Sequence, residues 1–397
     1  MENPTKDCPA LNDSELFAFL LENTPDHIYF KDREGRFIRY SSAVAEYMNA
    51  GDPSNLIGRS DFDFWSEETA REASTDEQRV METGDALIGK IEHLIYPDGR
   101  VAWSYSSKFP LRDANGKVIG ICGINKDFTK IKQMELALEA RNNQIEADLQ
   151  MARKVQEALL PDEQEISIVE GDSGLVIAHH YRPAAAVGGD FFHIVPLTKG
   201  RVGVFICDVM GHGVRAALIT GIIRGLIDEL RTQMPNPGRF LSALNNRVRT
   251  ILEGIDEPFI ATAFYFVADP VKGELKFSNA GHPKPVCLRQ GMGMLGLLGD
   301  GKPRSGPALG LLNEAVFPNL THPLEKDDRI VLFTDGIFEM EDSEGNEFGQ
   351  EAFHQSLAKH SDLPAVELFA AVLEDVRKFS GTTDFGDDVC LLSIRQS

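Results

Sequence analysis

Four aspartates in this chain share one setting. Asp190 follows Gly188-Gly189, and Asp208 closes the apolar run Val202-Gly203-Val204-Phe205-Ile206-Cys207. Asp335 follows the apolar stretch from Arg329 to Phe333, and Asp387 precedes Asp388 and the run Val389-Cys390-Leu391-Leu392. A carboxylate at the end of a strand is held rigidly and can be aimed at a common point. Several such groups brought together repel and raise one another's pKa values; divalent cations cancel that repulsion. An all-oxygen donor set selects Mg2+ or Mn2+ over zinc. The neighbouring glycines leave room for ions and their waters. Taken singly, each Asp reads as a turn residue, and it is the joint pattern that points to a metal centre. The five cysteines, Cys8, Cys122, Cys207, Cys287 and Cys390, are scattered without CxxC spacing. That speaks against zinc and against a disulfide framework, and it fits reduced thiols in a cytoplasm.

The elements that would position these residues alternate between strand and helix from about residue 168 onward. Val202 to Cys207 is unbroken in its apolarity, as expected of a strand buried on both faces. A helix-like stretch from Val214 to Arg231 follows it, and Ile260 to Val267 and Glu274 to Ser278 read as further strands.

Five motifs in this half stand in a telling order: Gly188-Gly189-Asp190-Phe191-Phe192, Asp208-Val209-Met210-Gly211-His212-Gly213, Asn279-Ala280-Gly281-His282-Pro283, Phe333-Thr334-Asp335-Gly336 and Gly386-Asp387-Asp388. The order resembles that of the PPM-type metal-dependent serine/threonine phosphatases, and in particular their SpoIIE/RsbU branch, which reactivates anti-sigma-factor antagonists. Ala152 to Pro161 resembles the helix that opens this branch. The resemblance implies a β-sandwich flanked by helices with two Mn2+ or Mg2+ ions at one edge. Carried onto this sequence, Asp208 would bridge both ions, Asp335 and Asp387 would complete one site, and Asp190 with the carbonyl of Val209 the other. A water activated by the two ions would attack phosphorus in line, and His212 would protonate the leaving serine oxygen. Asn279 and His282 are expected to shape a loop beside the site. Two departures stand out. His193 occupies a position where a second Asp is frequent, and Cys390 one where Thr is common.

The first third reads differently. Ser14 is expected to cap a helix through Leu21. Strands are expected at 27–30, 36–40, 90–96, 100–110 and 117–126, with Asp32 to Gly35, Pro97-Asp98-Gly99 and Asp113 to Gly116 as turns and short helices and loops over 42–86. Two strands, a helical middle, three strands and an exit through Asn125-Lys126-Asp127-Phe128-Thr129 resemble the PAS sensor fold over about residues 14–130. The reactive-cysteine context of flavin-bearing members is missing, and Cys122 reads as a core thiol. His27 and His93 are lone histidines on strands, weak candidates for haem ligands, so the sensor's ligand is left unnamed.

Between the two parts, Ile131, Leu138, Ile145, Ala152 and Leu159 recur every seventh residue, with Met134, Arg141, Asp148 and Val155 as companions. A strong first seam and a weak second one suggest a marginal parallel coiled coil; the alternative is a single amphipathic helix. The expected layout is a flexible tail over 1–13, a PAS domain over 14–130, a coiled-coil linker over 131–165 and a phosphatase domain over 166–397, an α+β protein.

Charge narrows the partners. Sixty-one acidic against 40 basic residues give a net charge of −21, which repels nucleic acid and anionic lipid. No run of about 18 apolar residues suggests a membrane span, and the N-terminus does not read as a secretory signal. The expected function is that of a signal-regulated, cytoplasmic, homodimeric protein serine phosphatase acting on a phosphorylated STAS-domain anti-sigma-factor antagonist. Its alternative is a non-catalytic sensor or partner-binding scaffold on the same fold. A nucleotide cyclase, suggested by Gly-Gly-Asp alone, is not supported by the later motifs.

Overall fold

The computed structural model describes residues 12–48, 53–95, 99, 101–211, 213–254, 259–299 and 305–396. The chain forms two compact units, Met1–Gln144 and Ile145–Ser397. The tail expected over 1–13 and the turn at Pro97-Asp98 fall largely outside the described residues.

The first unit opens with α1 (Asp13–Asn23), followed by β1 (His27–Asp32), β2 (Phe37–Tyr40), α2 (Ser42–Tyr47), α3 (Glu67–Thr83), β3 (Leu87–Ile95), β4 (Val101–Arg112) and β5 (Val118–Asp127). The five strands form one antiparallel sheet in the order β2-β1-β5-β4-β3, the PAS arrangement the sequence suggests. Asn12, not Ser14, caps α1: its side chain accepts from Glu15 N at 2.9 Å while Glu15 accepts from Asn12 N. The stretch expected to be short helices and loops contains the 17-residue α3, capped by Ser66 and stopped by Gly84 in the left-handed region.

One face of this sheet is polar and buried. Lys31 is 1% exposed and paired with Asp61 and with Glu77, and Lys108, also 1% exposed, is paired with Glu92. His27 shares that cavity-side face with Glu92 and Leu94. His93, between the latter two on β3, therefore faces the other way and stacks on Trp103. The two histidines cannot ligate one haem.

Helix α4 (Thr129–Glu157) continues the chain for 29 residues. Ile131, Leu138 and Ile145 on it are 55%, 60% and 48% exposed.

The second unit begins its sandwich after α5 (Glu163–Ser173). In chain order come β6 (Leu175–Arg182), β7 (Asp190–Pro196), β8 (Val202–Val209), α6 (Val214–Glu229), α7 (Pro237–Ile251), β9 (Ala261–Asp269), β10 (Glu274–Ala280), β11 (Val286–Arg289), β12 (Gly293–Leu297), β13 (Leu320–Pro323), β14 (Asp328–Phe333), α8 (Gln350–Lys359), α9 (Ala365–Ser380) and β15 (Val389–Gln396). They make two antiparallel sheets, β13-β10-β9-β8-β7 and β12-β11-β14-β15-β6. Phe192, Ile206, Phe264, Ile330 and Leu392 fill the space between them. Phe191, Phe205 and Tyr265 on the outer face of the first sheet pack under Phe240, Leu241 and Leu244 of α7. Val331, Phe333 and Leu391 on the outer face of the second pack under Phe353, Leu368 and Val372 of α8 and α9. Both sheets are covered on both sides, which is why β8 and β14 carry no polar–apolar alternation. Burial of these large side chains, at roughly 1.5–3 kcal/mol each, dominates the stability of this unit.

Candidate metal centre

The acidic residues meet at one end of the sandwich. Asp190 opens β7 and Asp208 lies near the end of the antiparallel β8, so the two are direct cross-strand partners. Asp335 begins the helical turn leaving β14, and Asp387 lies two residues before β15. Those strands are adjacent in the second sheet, with Phe333 opposite Leu391. Carboxylate oxygens of Asp335, Glu339 and Asp387 lie within 4.8 Å of one another.

The approach to Asp190 is built with little tolerance. Asp388, 4% exposed, accepts from the backbone amides of Ala184 (2.7 Å), Gly189 and Asp190 (3.3 Å). A Cβ on Gly188 would collide with that carboxylate, and one on Gly189 with the carbonyl of Val209, so both glycines are required by close approach. Val209 N in turn donates to Gly189 O at 3.2 Å. Thr334 Oγ1 donates to Asp190 Oδ2 at 2.6 Å and accepts from Cys390 N at 2.9 Å, which ties the two sheets together at the site. From the end of α4, the buried Gln156 donates to Gly188 O at 2.7 Å and accepts from Gly188 N at 3.0 Å. The Gly188-Gly189-Asp190 turn is thus clamped from both sides.

The electrostatics are those of crowded, buried acids. Burial, then the neighbouring Asp208, pushes Asp190 well above the ordinary carboxylate range. Asp208 is pushed up to about 7 by burial, followed by the charges of Asp335, Asp387, Asp388 and Glu339. Burial and Asp387 raise Asp335, and burial and Asp335 raise Glu339. The charges that act most on Asp208 are all carboxylates, so nothing within this set offsets them. The donors are hard oxygens throughout, and they fit Mg2+ or Mn2+.

Asp190, Asp208, Asp335 and Asp387 are therefore brought together, with Val209 beside them. His212 lies outside the described residues. His193 is away from the centre: it is on the outer face of β7 against Phe191, and burial lowers its pKa to about 4. Asn279 and His282 shape a loop as expected, exchanging hydrogen bonds of 2.8 and 2.9 Å, with the His282 ring against Thr262. Sequence reasoning missed four contributors: Thr334, Glu339, Asp388 as an organiser of the turn, and Gln156. The available signals were the Asp-Asp doublet and the placement of Thr334 and Glu339 one before and four after Asp335.

A family model covers most of this geometry, with Asp208, Asp335 and Asp387 inside the matched stretch and Asp190 just before it. Residues 198–397 match the family model described as Stage II sporulation protein E, and residues 21–133 match one described as PAS fold. The chain belongs to the SpoIIE family. This SpoIIE-family chain is 26% identical over 249 residues to the phosphoserine phosphatase RsbP of Bacillus subtilis, covering 62% of the chain and 57% of that relative. It is likewise 26% identical over 266 residues to the phosphoserine phosphatase RsbU of the same organism, covering 66% of the chain and 74% of RsbU. The chain thus spans little more than half the length of the first of these relatives. The SiaA-PP2C domain of Pseudomonas aeruginosa superposes with a TM-score of 0.56 at 24% identity, over 65% of this chain and 99% of that domain, which establishes the PP2C fold.

Proposed function

We propose that this SpoIIE-family chain is a metal-dependent protein serine phosphatase under the control of its PAS unit. The observation that carries the reading is the convergence of Asp190, Asp208, Asp335 and Asp387 at one end of the sandwich, where burial and neighbouring carboxylates raise the proton affinity of Asp190, Asp208 and Asp335 and added cations would relieve it. Likeness to two proteins named as phosphoserine phosphatases supports the substrate class.

Asp208 would bridge two Mg2+ or Mn2+ ions, Asp335 and Asp387 would complete one position, and Asp190 with the Val209 carbonyl the other. Bound, the ions supply the positive charge that acidifies water and neutralises a phosphoryl group. The protein's own part is positioning. Asp388 and Gln156 fix the turn that carries Asp190, Thr334 holds the Asp190 carboxylate, and the paired sheets prevent the four acids from moving apart. His212, four residues after Asp208, is assigned the proton donated to the leaving serine oxygen.

The protein substrate is read as a phosphorylated STAS-domain anti-sigma-factor antagonist. The assembly is read as a homodimer through the PAS unit and the seam Ile131, Leu138 and Ile145 on α4, whose side chains are exposed in the single chain. The layout follows as a PAS domain over 14–130, a coiled-coil linker over 131–165 and a phosphatase domain over 166–397. Among the described residues no helix is long and apolar enough to cross a membrane. The free thiols of Cys122, Cys207, Cys287 and Cys390 fit a reducing cytoplasm.

The test is phosphate release from a phosphoserine peptide with Mn2+ and with EDTA. Mn2+-dependent turnover that falls by about three orders of magnitude or more in Asp208→Asn is the expected result. No turnover at saturating Mn2+ would end the reading and leave the scaffold alternative.

A further inference from the structure

The first unit encloses a cavity of about 40 Å3, walled by strands of the sheet and by α2 and α3. Since roughly 10–15 Å3 on this measure admits one water, the space suits a molecule of about three or four non-hydrogen atoms. A haem or a flavin does not fit.

Two kinds of group matter in its lining. His27, Tyr47 and Trp65 supply aromatic faces, with centroids 4.1 Å apart for His27 and Tyr47 and 5.5 Å for Tyr47 and Trp65. Asp61, Glu77, Glu92 and Lys108 supply charge, and neutral residues such as Tyr29, Val44, Met48, Leu94 and Asn125 complete the lining, with Lys31 just behind it. Asp61, Glu77 and Glu92 are set against Lys31 and Lys108, three carboxylates to two ammonium groups, so with Glu77 ionised this buried network carries one excess negative charge, and without a further cation Glu77 offsets it by holding a proton. Burial lowers the His27 pKa, so its ring adds no positive charge near neutrality. On β4, directly across from Glu92 and outside the lining itself, the buried Ser104 Oγ has no hydrogen-bond partner among the described residues.

We propose that this cavity binds a small organic monocation, a primary ammonium of about three or four non-hydrogen atoms, with its head beside Glu77 and Glu92 and its stem against Tyr47 and Trp65. Aromatic faces attract cations most strongly where water is excluded, and an ammonium can donate charge-assisted hydrogen bonds to the carboxylates. One positive charge brings the network to neutrality. An anion would add a second uncompensated charge, and a neutral molecule would leave the first in place. Burial pushes Glu77 up to about 7, and an adjacent ammonium opposes that shift.

Trp65 lines the cavity, and the chain's other tryptophan, Trp103, lies on the opposite face of the sheet. The test therefore uses the full chain with Trp103→Phe and EDTA present, and follows Trp65 emission while ethylammonium chloride is titrated to tens of millimolar. Sodium chloride and sodium acetate at equal ionic strength are the controls. The expected result is a saturable change with ethylammonium alone, weakened roughly tenfold or more by Glu77→Gln or Glu92→Gln and about threefold or more by Tyr47→Leu. Circular dichroism identifies any variant that fails to fold, and that variant is set aside in favour of the others. A response that does not saturate, that acetate reproduces, or that survives the folded variants unchanged overturns the proposal. The readout involves no turnover, so its failure is separate from failure of the phosphatase reading.

Discussion

Each unit of this protein buries carboxylates, and the two units treat them oppositely. In the first, Asp61 and Glu77 converge on Lys31, and Glu92 is paired with Lys108. Most of the counter-charge comes from the chain itself. In the second, the strongest charges on Asp208 are other carboxylates, and the counter-charge has to come from solution. Buried ion pairs owe their stability to mutual compensation, and removing one partner exposes the full desolvation cost of the other. Buried like charges are a standing cost that removal relieves. The same residue type is thus structural in one place and, on the proposed reading, a metal ligand in the other.

The comparison is broken most sharply by substitution in metal-free protein. Lys31→Met should destabilise the first unit by about 3–5 kcal/mol, read by urea denaturation, whereas Asp208→Asn should leave the second unit as stable or more stable. A destabilised metal-free Asp208→Asn would mean that its neighbours do not repel it.

Smaller, and more discriminating, is the effect of pH. Glu77 and Asp208 are both pushed up to about 7, from ordinary values near 4.5 and 3.8. In each case the native state keeps a proton that the unfolded state has already lost, so stability falls as pH rises from about 4 to about 7 and is level above that. Saturating Mn2+ should abolish the part due to Asp208 and leave the part due to Glu77, which Glu77→Gln removes. Calorimetric melts across that range, with and without Mn2+, separate the two; a slope that Mn2+ leaves wholly intact would count against a cation site at Asp208. The smallest effect is expected at Glu339. Its carboxylate is close enough to Asp335 and Asp387 to share an ion, and Glu339→Gln should raise the Mn2+ concentration needed for half-maximal binding roughly tenfold, measured by titration calorimetry.

What could be read in advance follows from the same contrast. Strands buried on both faces announce themselves as apolar runs, and the aspartates at their ends stand out against such runs, so the sandwich and its four acids were legible. Lys31 and Lys108 were not, because a lysine on a strand next to a polar residue, Asp32 or Ser107, reads as a solvent-facing position; only tertiary structure shows that the face they occupy is the inside. Helix α3 reads as short helices and loops because Glu67 to Thr83 is rich in charge and poor in apolar repeats, and its start and stop at Ser66 and Gly84 carry more information than its interior. Gln156 and Asp388 act through backbone groups more than 30 and almost 200 residues away, respectively, a relation that no local pattern encodes.

The last strand has a consequence for synthesis. β15 is not an edge: it lies between β14 and β6 in its sheet, and Asp387 and Asp388 immediately precede it. While the ribosome is still making this stretch, the first unit is already complete in sequence, but the proposed metal centre lacks both Asp387 and the Asp388 carboxylate that holds the turn around Asp190. On the proposed reading, a product truncated before Asp387 would therefore fail to assemble the centre rather than hold it in an unregulated form.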